Sequence, residues 1–231
     1  MRRCEPVDRL LDSTFSPGEP PLSMFLDPRH TPGFKRSIFN AIVAPRPIGW
    51  ISSMGSDGSV NLAPFSQFNL VSTAPPVVMF ACNRPAGGVE KDTVVNVRET
   101  GEFVVNLVSW DLREAMNMTS TPLPRGGDEF ELAGLQKAAC LRVRPPRVEA
   151  SPANLECQLL RILDIEPESP GETFSTVIMG RVVGLHMKDE LVDDEGRFDT
   201  VRARPMTRLG GFQYATLGEI IEMPSPFSRS E

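Results

Sequence analysis

Lys91-Asp92-Thr93 puts a cation, a carboxylate and a hydroxyl side by side at what reads as the start of a helix. A helix start offers backbone N–H groups and a partial positive charge, a combination that suits a phosphate. Lys91 adds a full charge and Thr93 a hydroxyl, and Arg84, just past the preceding apolar run, reaches the same place. Read alone, these residues also fit a plain helix cap at Asp92 with a solvated lysine beside it. A second polar set lies upstream. The stretch from Val60 to Asn69 mixes small and hydroxyl residues (Ala63, Pro64, Ser66) with amides (Asn61, Gln67, Asn69). A strand built only to pack alternates large apolar residues on one face. Small residues instead let a flat ligand approach the backbone, and amides and hydroxyls orient its polar edge. The two sets together point to a pocket on a sheet.

The chain is poor in residues that do chemistry unaided. Its histidines are His30 and His186, and its cysteines are Cys4, Cys82, Cys140 and Cys157. No two cysteines sit at a C-x-x-C spacing, so free thiols and no metal are expected. His186 lies in a strand-like apolar pattern and reads as a structural histidine. No G-x-S-x-G elbow is present for a serine triad, and no G-x-G-x-x-G dinucleotide fingerprint. Asp193-Asp194-Glu195 reads as a solvated turn, because the pattern of a calcium loop is missing around it. An enzyme with this inventory borrows a cofactor.

Composition narrows the partners. The chain has 231 residues, 40% of them hydrophobic, and a net charge of -6 with the two signs interspersed. No basic stripe recommends a nucleic acid, and no apolar run approaches the roughly 18 residues of a membrane span. Arg2 and Arg3 have no apolar core behind them. No secretory signal is therefore expected, and a cytoplasmic location follows.

Several elements must position the polar residues. Residues 1–33 are proline-rich and aperiodic and read as an extended arm, with 34–231 as the folded domain. Lys35 to Val43 predicts a short helix ended by Ala44-Pro45. Ile48 to Ile51, the turn Gly55-Ser56-Asp57-Gly58-Ser59 and the run from Val60 predict a β-hairpin. Trp50 on its first strand is expected in the core or at a dimer interface. Val77 to Ala81 and Phe103 to Val108 predict strands, and Asp92 is expected to cap a helix that runs to Thr100 and stops at Gly101. Asp111 is expected to cap another, through Met118. Residues 119–152, rich in Pro, Gly and charge, read as a surface excursion with one helical turn at Glu129 to Ala133. Leu155 to Ile165 and Thr176 to Met187 predict two further strands. Gly210, Gly211, Phe212 and Tyr214 fit either the wall of a ring site or an ordinary turn before core aromatics. The sum is a mostly-β barrel with a few short helices.

The order RPIGWISS, DGSVNLAPFSQF, PPVVMFAC and KDTVVNVRETGEFVVN resembles the flavin reductase-like family, in the branch that includes nitrilotriacetate monooxygenase component B. The resemblance runs from about Ile42 to Tyr214 and takes in the segment Ala150 to Cys157, STVIMGRVVGLH and RLGG. It implies a split β-barrel that binds FMN, usually as a homodimer. It places Arg46, Ser52 and Ser53 beside the flavin, and Asn61, Ala63, Pro64, Phe65 and Ser66 along the ring edge. Arg84, Lys91 and Thr93 would hold the phosphate, and Gly210, Gly211 and Tyr214 would close the flavin side. The reacting atom would be the flavin N5, taking hydride from NADH or NADPH, with no side-chain acid or base needed. Many short flavin reductases carry a histidine about five residues before the glycine of the strand at Thr176–Val183. Ser175 stands there in this chain, ahead of Gly180. The implied function is an NAD(P)H-dependent flavin reductase that supplies a partner monooxygenase. A flavoprotein oxygenase or electron carrier with prosthetic FMN, and a non-enzymatic flavin- or heme-binding module, are the alternatives. The 119–152 excursion is expected to border the open flavin face.

Overall fold

The computed structural model describes residues 24–28, 30, 36–84, 87–168 and 173–223. Most of the expected N-terminal arm, with Cys4, lies outside them. Helix α1 (Arg36–Ile42) leads to the short strand β1 (Arg46–Pro47) and then to the hairpin β2 (Gly49–Met54) and β3 (Val60–Phe65). The hairpin turn has a local cause. Asp57 Oδ1 accepts hydrogen bonds from Ser59 N (2.9 Å) and Ser59 Oγ (2.6 Å), and Gly58 takes φ +86°, a backbone open to glycine. The polar run from Val60 to Asn69 is not a single strand, as its sequence suggests. It breaks at Ser66-Gln67, where the Gln67 carbonyl accepts from Ala81 N, and β4 (Phe68–Thr73) starts a new pairing with β5 (Pro76–Arg84).

Helix α2 (Asp92–Thr100) stops at Gly101, which takes φ +72° and donates its N–H to Val97 O, as expected. Its start differs from expectation. Lys91 is the cap residue, with no side-chain capping bond, and Asp92 is the first helical residue. Asp92 meets Arg125 Nη1 at 3.0 Å instead. After β6 (Glu102–Asn106), a 3₁₀ turn over Trp110–Leu112 begins at Ser109 and runs into α3 (Arg113–Met118), so Asp111 sits inside the turn and caps nothing. Helix α4 (Glu129–Leu132) is capped by Asp128, whose carboxylate accepts from Phe130 N and Glu131 N. The strands β7 (Lys137–Ala138) and β8 (Arg147–Val148) pair with each other, and the long β9 (Ala153–Ile165) and β10 (Phe174–Met187) follow. Helix α5 (Thr200–Ala203), β11 (Thr207–Arg208) and β12 (Tyr214–Ala215) complete the described chain.

Seven antiparallel strands form the main sheet in the order β3-β2-β6-β9-β10-β5-β4. The strands β3 and β4 are neighbours in sequence yet lie at opposite edges. The sheet therefore curls, and Phe65 of β3 reaches Phe80 of β5 with ring centroids 4.9 Å apart. Inside the curl, Ile51, Phe65, Phe80, Phe103 and Ile178 pack with Val94 and Val97 of α2. The outer face of β2 and β3 carries a second core, in which Trp50 and Leu62 meet Met116, Phe130 and Val148. The 119–152 segment is thus no surface excursion, because Phe130 and Val148 are fully buried. Trp50 is also fully buried, and its indole N–H donates to Thr119 Oγ1 at 2.9 Å.

At Gly180 the backbone of β10 lies directly against the Phe103 ring. A Cβ there would sit 2.3 Å from Phe103 Cζ, deep in the barrel core. Replacing glycine in a strand ordinarily gains stability, but here the core is filled. Gly180→Ala is expected to lower the unfolding free energy by about 1–3 kcal/mol, read from urea denaturation; unchanged or raised stability would mean the Phe103 ring has room to yield.

Candidate functional site

Alternation along β3 divides the candidate residues between two faces. Asn61, Ala63 and Phe65 face the barrel interior and α2, whereas Leu62 and Pro64 face outward. On the inner face a polar network ties four elements together. Thr93 Oγ1 of α2 donates to Asn61 Oδ1 at 2.6 Å, and Ser53 Oγ of β2 approaches the same oxygen at 3.5 Å. Asn96 Nδ2 donates to Ser53 Oγ at 3.2 Å. Asn61 Nδ2 donates to both oxygens of Glu129 at 3.1 Å, and Glu129 Oε2 also accepts Leu62 N at 2.9 Å. Ser53, Asn61, Thr93, Asn96 and Glu129 are all buried. Burial pushes the Glu129 carboxyl above its ordinary range, while the bonds from Leu62 N and the Asn61 amide pull against that shift.

The cations stand around this network. Lys91 Nζ lies 5.5 Å from the centre of the Phe65 ring, at the start of α2. Lys91 is also close enough to Cys82 for its charge to oppose the burial that raises the Cys82 thiol. Arg84 follows two positions along β5, on the same side as Cys82, with its guanidinium 4.9 Å from the Phe174 ring centre. Lys91 and the N-terminal turn of α2 therefore lie near Cys82 of β5, the strand that ends at Arg84. Sequence reasoning missed Arg125, which comes from the 119–152 segment to bridge Asp92 and Asn96.

Pro64, Ser66 and Tyr214 line a cavity of about 110 Å³ on the other side of β3, with Ile48, Met116, Ser120 and Arg208. Arg208 stacks 4.4 Å from the Tyr214 ring centre and donates to the Tyr214 hydroxyl and to Gly211 O. The only sequence signal for Arg208 was its place at the head of RLGG. Ser120 and Met116 left no signal, since they reach the cavity through the fold of α3.

The remaining expected site residues lie elsewhere. Ser52 belongs to a separate hub: Asn106 Nδ2 donates to Trp50 O (2.9 Å) and Ser52 Oγ (3.2 Å), and Asn106 Oδ1 accepts Val148 N and Asn154 Nδ2, each at 2.8 Å. Ser52 Oγ itself donates to Pro146 O at 2.5 Å. Arg46 donates to Asn40 O and Val43 O at the end of α1, and to Leu209 O at 3.0 Å. That places it as a clamp on helix-terminal carbonyls. Gly210 lies against α1, where a Cβ would come within 2.8 Å of Ala41 Cβ. Gly211 has φ +56°.

The family described as "Flavin reductase like domain" matches residues 43–202. A protein of Deinococcus radiodurans is 39% identical over 180 residues, which span 75% of this chain and 76% of that one. The crystal structure of nitrilotriacetate monooxygenase component B from Bacillus cereus superposes with a TM-score of 0.81 at 31% identity, covering 87% of this chain and 98% of the other. The 2-nitrobenzoate 2-nitroreductase of Pseudomonas fluorescens gives 0.77 at 28%, covering 90% and 99%.

Glu129 ties α4 to β3 by accepting from both Asn61 Nδ2 and Leu62 N. Glu129→Ala leaves the buried Asn61 amide and Leu62 N–H without it, and is expected to cost about 2–4 kcal/mol of stability. Chemical denaturation checks this; a loss within experimental error would mean that water replaces the carboxylate.

Proposed function

The chain belongs to the flavin reductase-like family, and on that premise we propose that it binds FMN and acts as an NAD(P)H-dependent flavin reductase. The observation that carries this reading is Lys91 at the first turn of α2, beside Phe65 of the edge strand β3 and close to Cys82 of β5, the strand that ends at Arg84. Cations with helix N–H groups form a phosphate-binding set. The set is compact and suits one terminal phosphate, which favours FMN over FAD. Pro64 and Ser66 leave room for a flat ring on the outer side of β3, where Tyr214 with Gly211 closes the cavity, and Ala63 packs on the core behind it. Ser53, Asn61 and Thr93 have their hydroxyls and amide engaged with one another, so in this reading they hold β3 and α2 at a set spacing and shape the wall behind the ring. Ser52, Arg46 and Gly210 do the same for β2 and α1. Bound FMN supplies the chemistry, a ring that accepts hydride from a nicotinamide. The protein orients it and excludes water from it.

Reduced flavin handed to a partner monooxygenase is the role suggested by the name of the Bacillus cereus neighbour. A cytoplasmic location, with access to the NADH or NADPH pool, belongs to the same reading. Among the described residues, no helix is long and apolar enough to cross a membrane. A homodimer is part of the proposal too. Leu163 and Ile165 of β9 and Leu185 and Met187 of β10 are exposed apolar residues that a second copy would cover.

Purified protein is expected to show flavin absorbance that bleaches when NADH or NADPH is added without oxygen; a Soret band, or flavin untouched by either nucleotide, would overturn the reductase reading. Lys91→Ala is expected to weaken FMN binding about 10- to 100-fold, the loss of one charge-assisted contact, measured by calorimetry with fold checked by circular dichroism. An affinity within about twofold of wild type would remove Lys91 from the site. Light scattering is expected to give twice the chain mass at micromolar protein, and a monomer with FMN bound would refute the dimer.

A further inference from the structure

Three side chains outside this site converge although they are scattered in sequence. Cys140, Glu156 and His186 bring Sγ, a carboxylate oxygen and a ring nitrogen within 4.8 Å of one another. Cys140 precedes β8, Glu156 is on β9 and His186 is on β10. We propose that these three residues form a binding site for a divalent transition ion of the zinc class, which fastens the 140–143 segment to the β9–β10 ribbon.

The donor set selects the ion. A thiol, an imidazole and a carboxylate are the ligands of zinc, whereas magnesium and calcium take six or more oxygens. The carboxylate is already oriented. Glu156 is fully buried, and its oxygens accept Leu141 N (2.9 Å), Arg142 N (2.5 Å) and Val143 N (3.1 Å). These backbone bonds fix it as outer-shell partners fix a metal ligand. The backbone of Gly184 makes space for it, since a Cβ there would lie 3.2 Å from Glu156 Cδ.

The imidazole lies at the mouth of the site. His186 Nε2 meets Glu156 Oε1 at 2.5 Å, and its side chain keeps 20% of its surface exposed, so an ion can enter past it. Zinc holds nitrogen and oxygen at about 2.0–2.2 Å, which sets two tetrahedral ligands roughly 3.3 Å apart. The His186–Glu156 contact therefore opens by about 1 Å, which the partly exposed ring supplies by rotating. The ion takes the Nε2 lone pair, with the ring proton on Nδ1, and the Cys140 proton leaves to solvent as the thiolate forms. Three protein ligands leave a fourth position for water.

The probes are Zn²⁺ and Co²⁺ added to the flavin-loaded full chain after chelator treatment. One equivalent per chain is expected to bind in competition with a chromogenic zinc indicator, with a rise in melting temperature. Co²⁺ is expected to give a thiolate charge-transfer band in the difference spectrum. Cys140→Ser should abolish that band, and Cys140→Ser and His186→Gln should each weaken Zn²⁺ binding at least tenfold. Absence of the band in the wild-type protein overturns the site whatever the variants do. So does a band that survives in Cys140→Ser, since the ion would then be held by another cysteine. The flavin spectrum and NAD(P)H oxidation report separately on the reductase reading, so either proposal can fail alone.

Discussion

One requirement organises the molecule: each polar side chain carried inside by the curled sheet needs a partner there. An unmatched buried donor or acceptor costs about 1–3 kcal/mol, a sizeable fraction of the roughly 5–15 kcal/mol that keeps a domain folded. Asn61 is the clearest case. Its oxygen takes Thr93 Oγ1, its amide serves Glu129, and Ser53 and Asn96 extend the chain of bonds into α2. Strands β2 and β3 and helices α2 and α4 are thus fixed relative to one another by directional bonds. Apolar packing alone would let them slide.

The same device recurs along residues 119–152. The sheet and α2 pin that segment at several points with different chemistry. Trp50 donates to Thr119, Asp92 receives Arg125, Leu62 N–H ends on Glu129, Glu156 collects the N–H groups of 141–143, and Asn106 receives Val148 N. A stretch rich in proline and glycine needs such anchors, because its backbone cannot satisfy itself with a continuous helix or ladder. The edge strand β3 benefits as well. Its outward Leu62 N–H ends on Glu129, and two residues on stands Pro64, which has no N–H. An edge finished in this way resists pairing with a stray strand.

Much of the fold was legible because it depends on local pattern. The hairpin showed in Gly55-Ser56-Asp57-Gly58-Ser59 between apolar runs, the end of α2 in Gly101, and the strands in their β-branched and aromatic runs. The cap at Asp92 was misread because a carboxylate at a helix start can equally be the first helical residue, and Arg125, 33 residues away, made that the better place. The break of the polar run at Ser66-Gln67 was hidden for a similar reason: its cause is Ala81, on another strand.

The sequence by itself determined the family, through the order of its motifs, and the mostly-β class, through composition and periodicity. Tertiary structure alone decided what each side chain does. Ser52 and Ser53 are adjacent in sequence, yet they enter different networks because successive side chains of a strand point to opposite faces. Arg208, Ser120 and Pro64 come from remote segments to line one cavity. Cys140, Glu156 and His186 meet because β9 pairs with β10 and Glu156 draws in the 140–143 backbone. Convergence of this kind is set by strand register and by the bonds that curl the sheet, and spacing along the chain carries no record of either.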